Sequence, residues 1–191
     1  MQQVLPTSPV HHRFTIEDLE RMVRAGILHE HDRVELIEGE LFDMNPIGWA
    51  HQACVDWLTA TFVRRLGDRA IVRTQGPIRI GDRSLPQPDL TLLEPRPDFY
   101  RHEGPRASDV LLLVEVSDTT LPYDRDVKVP LYARAGIPEV WLVDLAGEQV
   151  LVFREPAAGR YRASVVVRPG EQIGPLRFPD VTLDVAALLG I

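Results

Sequence analysis

A chain of 191 residues, 45% hydrophobic, 26% charged and 7% aromatic, can build one domain with a full core, and its composition excludes general disorder. A net charge of −7 excludes coating of nucleic acid by bulk charge, so any such contact is local or metal-assisted. The single cysteine, Cys54, excludes an internal disulfide and a cysteine-based zinc site, and the absence of any apolar run near the roughly 20 residues of a membrane helix gives the expectation of a cytoplasmic protein.

Residues 1–13 read as a loose arm with two prolines and no periodicity, leaving residues 14–191 as a single domain. A helix is expected from Thr15, its N-cap, with Phe14 stapling onto Leu19 and with Ile16, Leu19, Met22 and Val23 as the buried stripe as far as Gly26. Two short strand-like segments within Arg33–Phe42 flank Glu38-Gly39, which predicts a tight hairpin whose acids Glu35, Glu38 and Glu40 face solvent. Ala53, Trp57, Leu58, Thr61 and Phe62 recur at helical spacing between Ala50 and Leu66, before the stop at Gly67.

Strands are expected at 70–80, 89–93 and 110–116. The last, Val110-Leu111-Leu112-Leu113-Val114-Glu115-Val116, is apolar apart from its glutamate, as in a central strand covered on both faces. A helix over 124–135 follows, ended by Gly136 and Pro138, although Pro130 would cost it a backbone bond and can move its regular start to that proline. Then come a strand over 139–144, antiparallel additions at 149–154 and 161–167, and a short helix at 185–189. This order implies an α/β domain, a mixed sheet flanked by helices.

Glu115 is the most informative residue, because a carboxylate in so apolar a strand is costly without a cation or strong donors. Asp89, opening a strand after Pro86-Gln87-Pro88, supplies a second carboxylate, and two such oxygens at adjacent strand ends suit a hard divalent cation such as Mg²⁺. A bound ion would activate water for hydrolysis of phosphodiesters. Lys128 lies just beyond, and it is the only lysine among 21 basic residues, the other 20 being arginine. A movable ammonium that orients the attacking water is a role arginine's rigid, always charged fork does not fill.

Pro88-Asp89, Glu115-Val116-Ser117 and Lys128 resemble the PD-(D/E)XK nuclease superfamily, in which the lysine ordinarily stands two residues after the acid, where this chain has Ser117. The longer phrases Glu35-Leu36-Ile37-Glu38-Gly39-Glu40-Leu41, His51, Pro88-Asp89-Leu90, Asp124-Arg125-Asp126-Val127-Lys128 and Tyr132–Asp144 are similar to those of the Uma2 family of that superfamily, over nearly all the chain from about residue 14. The resemblance implies the restriction-endonuclease-like fold, Mg²⁺ dependence with Mn²⁺ as substitute, DNA as substrate, and a homodimer. It makes Asp89 and Glu115 metal ligands, the Val116 carbonyl a third, and Lys128 the catalytic lysine, migrated onto the following helix.

His51 stands where related nucleases place a glutamate facing the metal, with capping or packing as its other reading, and Glu35 is held as a second accessory candidate. Arg64, Arg65, Arg69 and Arg73 form the densest basic stretch, and Tyr100 and Arg101 sit in a second arginine-bearing loop, so these six are the candidate nucleic-acid contacts. The functional reading is a Mg²⁺-dependent DNA endonuclease. The alternatives are a catalytically inactive nuclease-fold module that binds nucleic acid or oligomerises, and a metal phosphoesterase for small substrates.

Overall fold

A computed structural model describes residues 11–29 and 31–191, so most of the expected N-terminal arm lies outside the described residues. These residues gather into two compact units, the first reaching residue 45 and including 80–86, the second comprising 46–79 and 87–191.

In the first unit, α1 (Ile16–Arg24) starts at Thr15, whose hydroxyl accepts the Asp18 N–H at 3.1 Å while the Asp18 carboxylate accepts the Thr15 N–H at 2.9 Å. This reciprocal cap satisfies two otherwise orphaned donors, so Thr15→Ala should lower stability in urea denaturation by about 1 kcal/mol. Of the stripe expected on this helix only Ile16 is buried, and Val23 is exposed.

Strands β1 (Val34–Ile37) and β2 (Glu40–Asp43) pair antiparallel around Glu38 and Gly39, with φ of 50° and 83°. Two successive left-handed residues make the primed turn that matches strand twist, and a Cβ on Gly39 would come within 2.7 Å of the Arg13 Cβ. The expected solvated edge needs correction at one position. Glu38 and Glu40 are exposed, but Glu35 is 4% exposed, because β1 is covered on both faces, with Glu35, Leu36 and Ile37 all buried.

The second unit is built on a six-stranded sheet. Helix α2 (Trp49–Leu66) leads to β3 (Ile71–Thr74), β4 (Leu90–Leu93) and β5 (Val110–Ser117). A helical connection follows in three pieces: α3 (Leu121–Tyr123), a π-turn (Asp124–Lys128) and α4 (Val129–Arg134). Then come β6 (Glu139–Asp144), β7 (Gln149–Ala157), β8 (Arg160–Val167), a small pair of β9 (Gln172–Ile173) with β10 (Leu183–Asp184), and α5 (Val185–Leu189). The six strands lie in the order β3-β4-β5-β6-β7-β8, with only β5 and β6 parallel.

That single parallel pair forces the crossover carrying Lys128, since two parallel neighbours cannot be joined by a tight turn. All eight residues of β5 are buried. Helix α2 packs on one face of the sheet through Val55, Leu58 and Phe62 against Leu90, Leu92, Val114 and Trp141. Helix α4 packs against β7 and β8. Alternation along β5 sends Leu113 and Glu115 to the face opposite Val114 and Val116.

Three expected elements differ in detail. The strand expected at 70–80 is Ile71–Thr74 alone, ended where Gln75 turns to a left-handed φ of 48°. In α2, Ala53 is exposed and Trp57 half-buried, whereas Cys54, Val55 and Leu66 join Leu58, Thr61 and Phe62 inside, so the buried face is rotated relative to the expected one. The helix expected at 124–135 begins three residues early, at Leu121, and passes through the π-turn, where the Val129 N–H reaches the Asp124 carbonyl. A π-type widening lets the chain absorb Pro130, which has no N–H to give. Among the described residues no helix is long and apolar enough to cross a membrane.

Candidate active site

Asp89 stands one residue before β4, at the end where β5 finishes. Its Oδ2 accepts the backbone N–H of Val116 at 2.8 Å, and its Oδ1 lies 3.1 Å from His51 Nε2. The β5 main chain and the first turn of α2 therefore hold this carboxylate together. Glu115 is the residue directly before Val116, so one peptide step of β5 separates the group that anchors Asp89 from the second acid.

Glu115 is 2% exposed and Lys128 4%. Lys128 Nζ is 2.9 Å from Glu115 Oε1, and the Tyr132 hydroxyl donates to the same oxygen at 2.5 Å. Lys128 Nζ is also 3.9 Å from Asp124 Oδ1. Asp124 Oδ2 accepts hydrogen bonds from the hydroxyls of Ser117, at 2.7 Å, and Thr120, at 2.6 Å. A carboxylate and an ammonium four residues apart on a helix, as Asp124 and Lys128 are, ordinarily form an exposed surface pair. Both side chains are instead buried, and the nearer carboxylate is Glu115. Ser117, at the position where the superfamily pattern has its lysine, is tied through Asp124 to the lysine that this chain does have.

Lys128 and Tyr132 are four residues apart, and so project from one side of the connection. Neither Tyr132 nor Thr120 stands out in the sequence reading. The available signal was the spacing of Asp124, Lys128 and Tyr132, three hydrogen-bonding side chains at four-residue intervals.

Cys54, one helical turn beyond His51, has its thiol pushed up to about 12 by burial, with the Asp89 charge adding to the effect. The folded state thus holds the neutral thiol. The stability this confers is complete below the ordinary value of 9.0 and is lost as the pH rises from there toward about 12. Thiol reagents near neutral pH should modify Cys54 only through unfolding, seen as a labelling rate that rises steeply across the urea transition.

Val116 is buried and pairs with Val143 of β6. Glu35 belongs to the first compact unit. Arg64, Arg65 and Arg69 lie at the far end of α2 from His51, about 20 Å along the axis at ~1.5 Å per residue for Arg64. Arg64 caps the Ala60 carbonyl, Arg65 the Thr182 carbonyl, and Arg69 pairs with Asp180 and covers the Phe178 ring. Arg73 donates to the Phe99 carbonyl and, with Arg96, stacks on Tyr100. Tyr100 is buried, with its hydroxyl given to the Glu94 carbonyl, and Arg101 is exposed in the loop that leaves β4 at the end opposite Asp89.

Comparison with known proteins agrees with this architecture. The family model described as "Uma2: Putative restriction endonuclease" matches residues 16–186. A crystal structure from Anabaena variabilis, described as that of "a putative nuclease belonging to DUF820", superposes with a TM-score of 0.71 at 17% identity, covering 93% of this chain and 98% of that one. At that identity the likeness establishes the fold, a mixed sheet flanked by helices. No curated protein matches the sequence.

Proposed function

The chain belongs to the Uma2 family, and on that premise we propose that it is a divalent-metal-dependent endonuclease that hydrolyses phosphodiester bonds of DNA. The observation that carries the reading is the burial of the only lysine in the chain against Glu115 at 2.9 Å, beside a strand end where Asp89 is anchored to the next residue of the same strand.

Asp89 and Glu115, with the Val116 carbonyl, would hold Mg²⁺, or Mn²⁺ in its place. The donor set fits, because these are hard oxygens, and two side-chain ligands leave room for the waters that Mg²⁺ retains. Among the described residues no three His, Cys, Asp or Glu side chains converge as a metal cluster. When bound, the ion supplies an acidic water and positive charge for phosphoryl transfer.

The chain's own groups have separate tasks in this reading. Lys128, desolvated and charge-paired, orients the attacking water and balances the negative charge that develops on the phosphoryl oxygens. His51 and the Val116 N–H fix the orientation of the Asp89 carboxylate. Asp124, locked by Ser117 and Thr120, gives the Lys128 ammonium a second carboxylate at 3.9 Å.

The test is incubation of supercoiled plasmid with purified protein in Mg²⁺ or Mn²⁺, alongside Asp89→Ala and Lys128→Ala. Nicking by the wild type that both variants lose supports the reading. DNA binding without cleavage by the wild type overturns it in favour of a non-catalytic module, and equal cleavage by both variants removes Asp89 and Lys128 from the chemistry.

A further inference from the structure

A carboxylate meant to bind a cation at a fixed distance must be prevented from rotating, and in a buried strand the means are donors to one of its oxygens. At Glu115 two donors converge on Oε1: Lys128 Nζ at 2.9 Å and the Tyr132 hydroxyl at 2.5 Å. Tyr132 is 0% exposed and sits in α4, whose start is set by the π-turn and Pro130. The phenol oxygen is thus carried on a packed ring with no solvent to exchange into.

We propose that Tyr132 is a positioning residue of this site, fixing the Glu115 carboxylate, and through their shared oxygen the Lys128 ammonium, in the geometry that metal binding and catalysis require. This rests on the reading of Asp89, Glu115 and Lys128 as the metal-dependent centre. A phenol suits the task because it donates one directed hydrogen bond while staying neutral, and a second ammonium would repel the lysine. The four-residue spacing of Lys128 and Tyr132 delivers both donors from one side of the connection, and the π-turn, a feature frequent at functional sites, is the local distortion that joins them to α3.

Tyr132→Phe removes the hydroxyl and keeps the ring, so packing is largely preserved. Groups that orient metal ligands typically contribute 10–100-fold to metal affinity or activity. Titration calorimetry with Mn²⁺ should therefore give a Kd raised about 10-fold in Tyr132→Phe, and DNA cleavage should show kcat lowered by about 10–100-fold with KM within about two-fold. A purely structural tyrosine would change the melting temperature and leave the Mn²⁺ Kd and kcat of the folded fraction at wild-type values, and that result overturns the proposal.

Lys128 being the only lysine, protein labelled with ¹⁵N at the lysine Nζ gives one side-chain ammonium resonance, an independent readout without metal. Displacement of that resonance in Tyr132→Phe supports the coupling through Oε1, and an unmoved resonance contradicts it. The two levels stay separable. A wild type that binds Mn²⁺ and cleaves nothing overturns the nuclease reading while the Kd ratio still decides the role of Tyr132. A wild type that binds no Mn²⁺ overturns the metal site, and with it the positioning role claimed here.

Discussion

Lys128→Met is expected to lower cleavage by about 10³-fold and to cost about 3–5 kcal/mol of stability. The two effects have one origin. Methionine preserves the length of the stem and deletes the ammonium that compensates Glu115 in an almost dry site, and an uncompensated buried carboxylate is far more expensive than a broken surface pair. In a thermal melt the loss corresponds to a fall of roughly 10 °C for a chain of this size. Adding Glu115→Gln should restore much of the stability without restoring cleavage, because a neutral pair in the same space no longer strands a charge. Cleavage recovered in the double variant, or a single variant as stable as the wild type, would contradict this account of the pair.

Arg154→Met is expected to be nearly as destabilising and chemically silent. Glu139, at the start of β6, is 0% exposed and accepts hydrogen bonds from Arg154 Nε at 2.8 Å, from Trp141 Nε1 at 2.9 Å and from the Leu176 backbone N–H at 2.6 Å. Arginine is its counter-charge, and deleting it should cost about 3 kcal/mol, toward the lower end for buried pairs because two neutral donors remain. In the sheet register Glu139 is three residues before Leu142, the partner of Glu115, so it lies toward the other end of β6 from the site. Mn²⁺ affinity and cleavage per folded molecule should therefore be unchanged. Of the two buried glutamates on adjacent parallel strands, one serves chemistry in this account and the other holds the sheet to the segment around Leu176.

The contrast also marks what could be read from residue order alone. The apolar run around Glu115 announced a central strand with a costly charge in it, and in the fold Glu115 is paired with Lys128 while Asp89 is tied to the Val116 N–H and lies beside His51. Helix and strand positions followed the hydrophobic periods closely, because burial on both faces of β5 and β6 leaves little ambiguity. Three things were less legible. Glu35 looked solvated because a short acidic hairpin reads as having one open face, whereas both faces of β1 are covered, and the π-turn was foreshadowed only by Pro130. Tyr132 looked like an ordinary core aromatic, since a hydroxyl's partner seventeen residues away in sequence is decided by packing and leaves no local pattern. Sequence density grouped Arg65, Arg69 and Arg73, and density carries no information on the carbonyl, carboxylate or ring that each meets within the fold.

The most direct measurement is a crystal structure of the wild-type protein soaked in Mn²⁺, read at the manganese absorption edge. One anomalous peak is expected, contacted by oxygens of both Asp89 and Glu115 at about 2.0–2.3 Å, with Lys128 Nζ beside its coordination sphere. A peak elsewhere, or none between these two carboxylates at a Mn²⁺ concentration that supports cleavage, would contradict it.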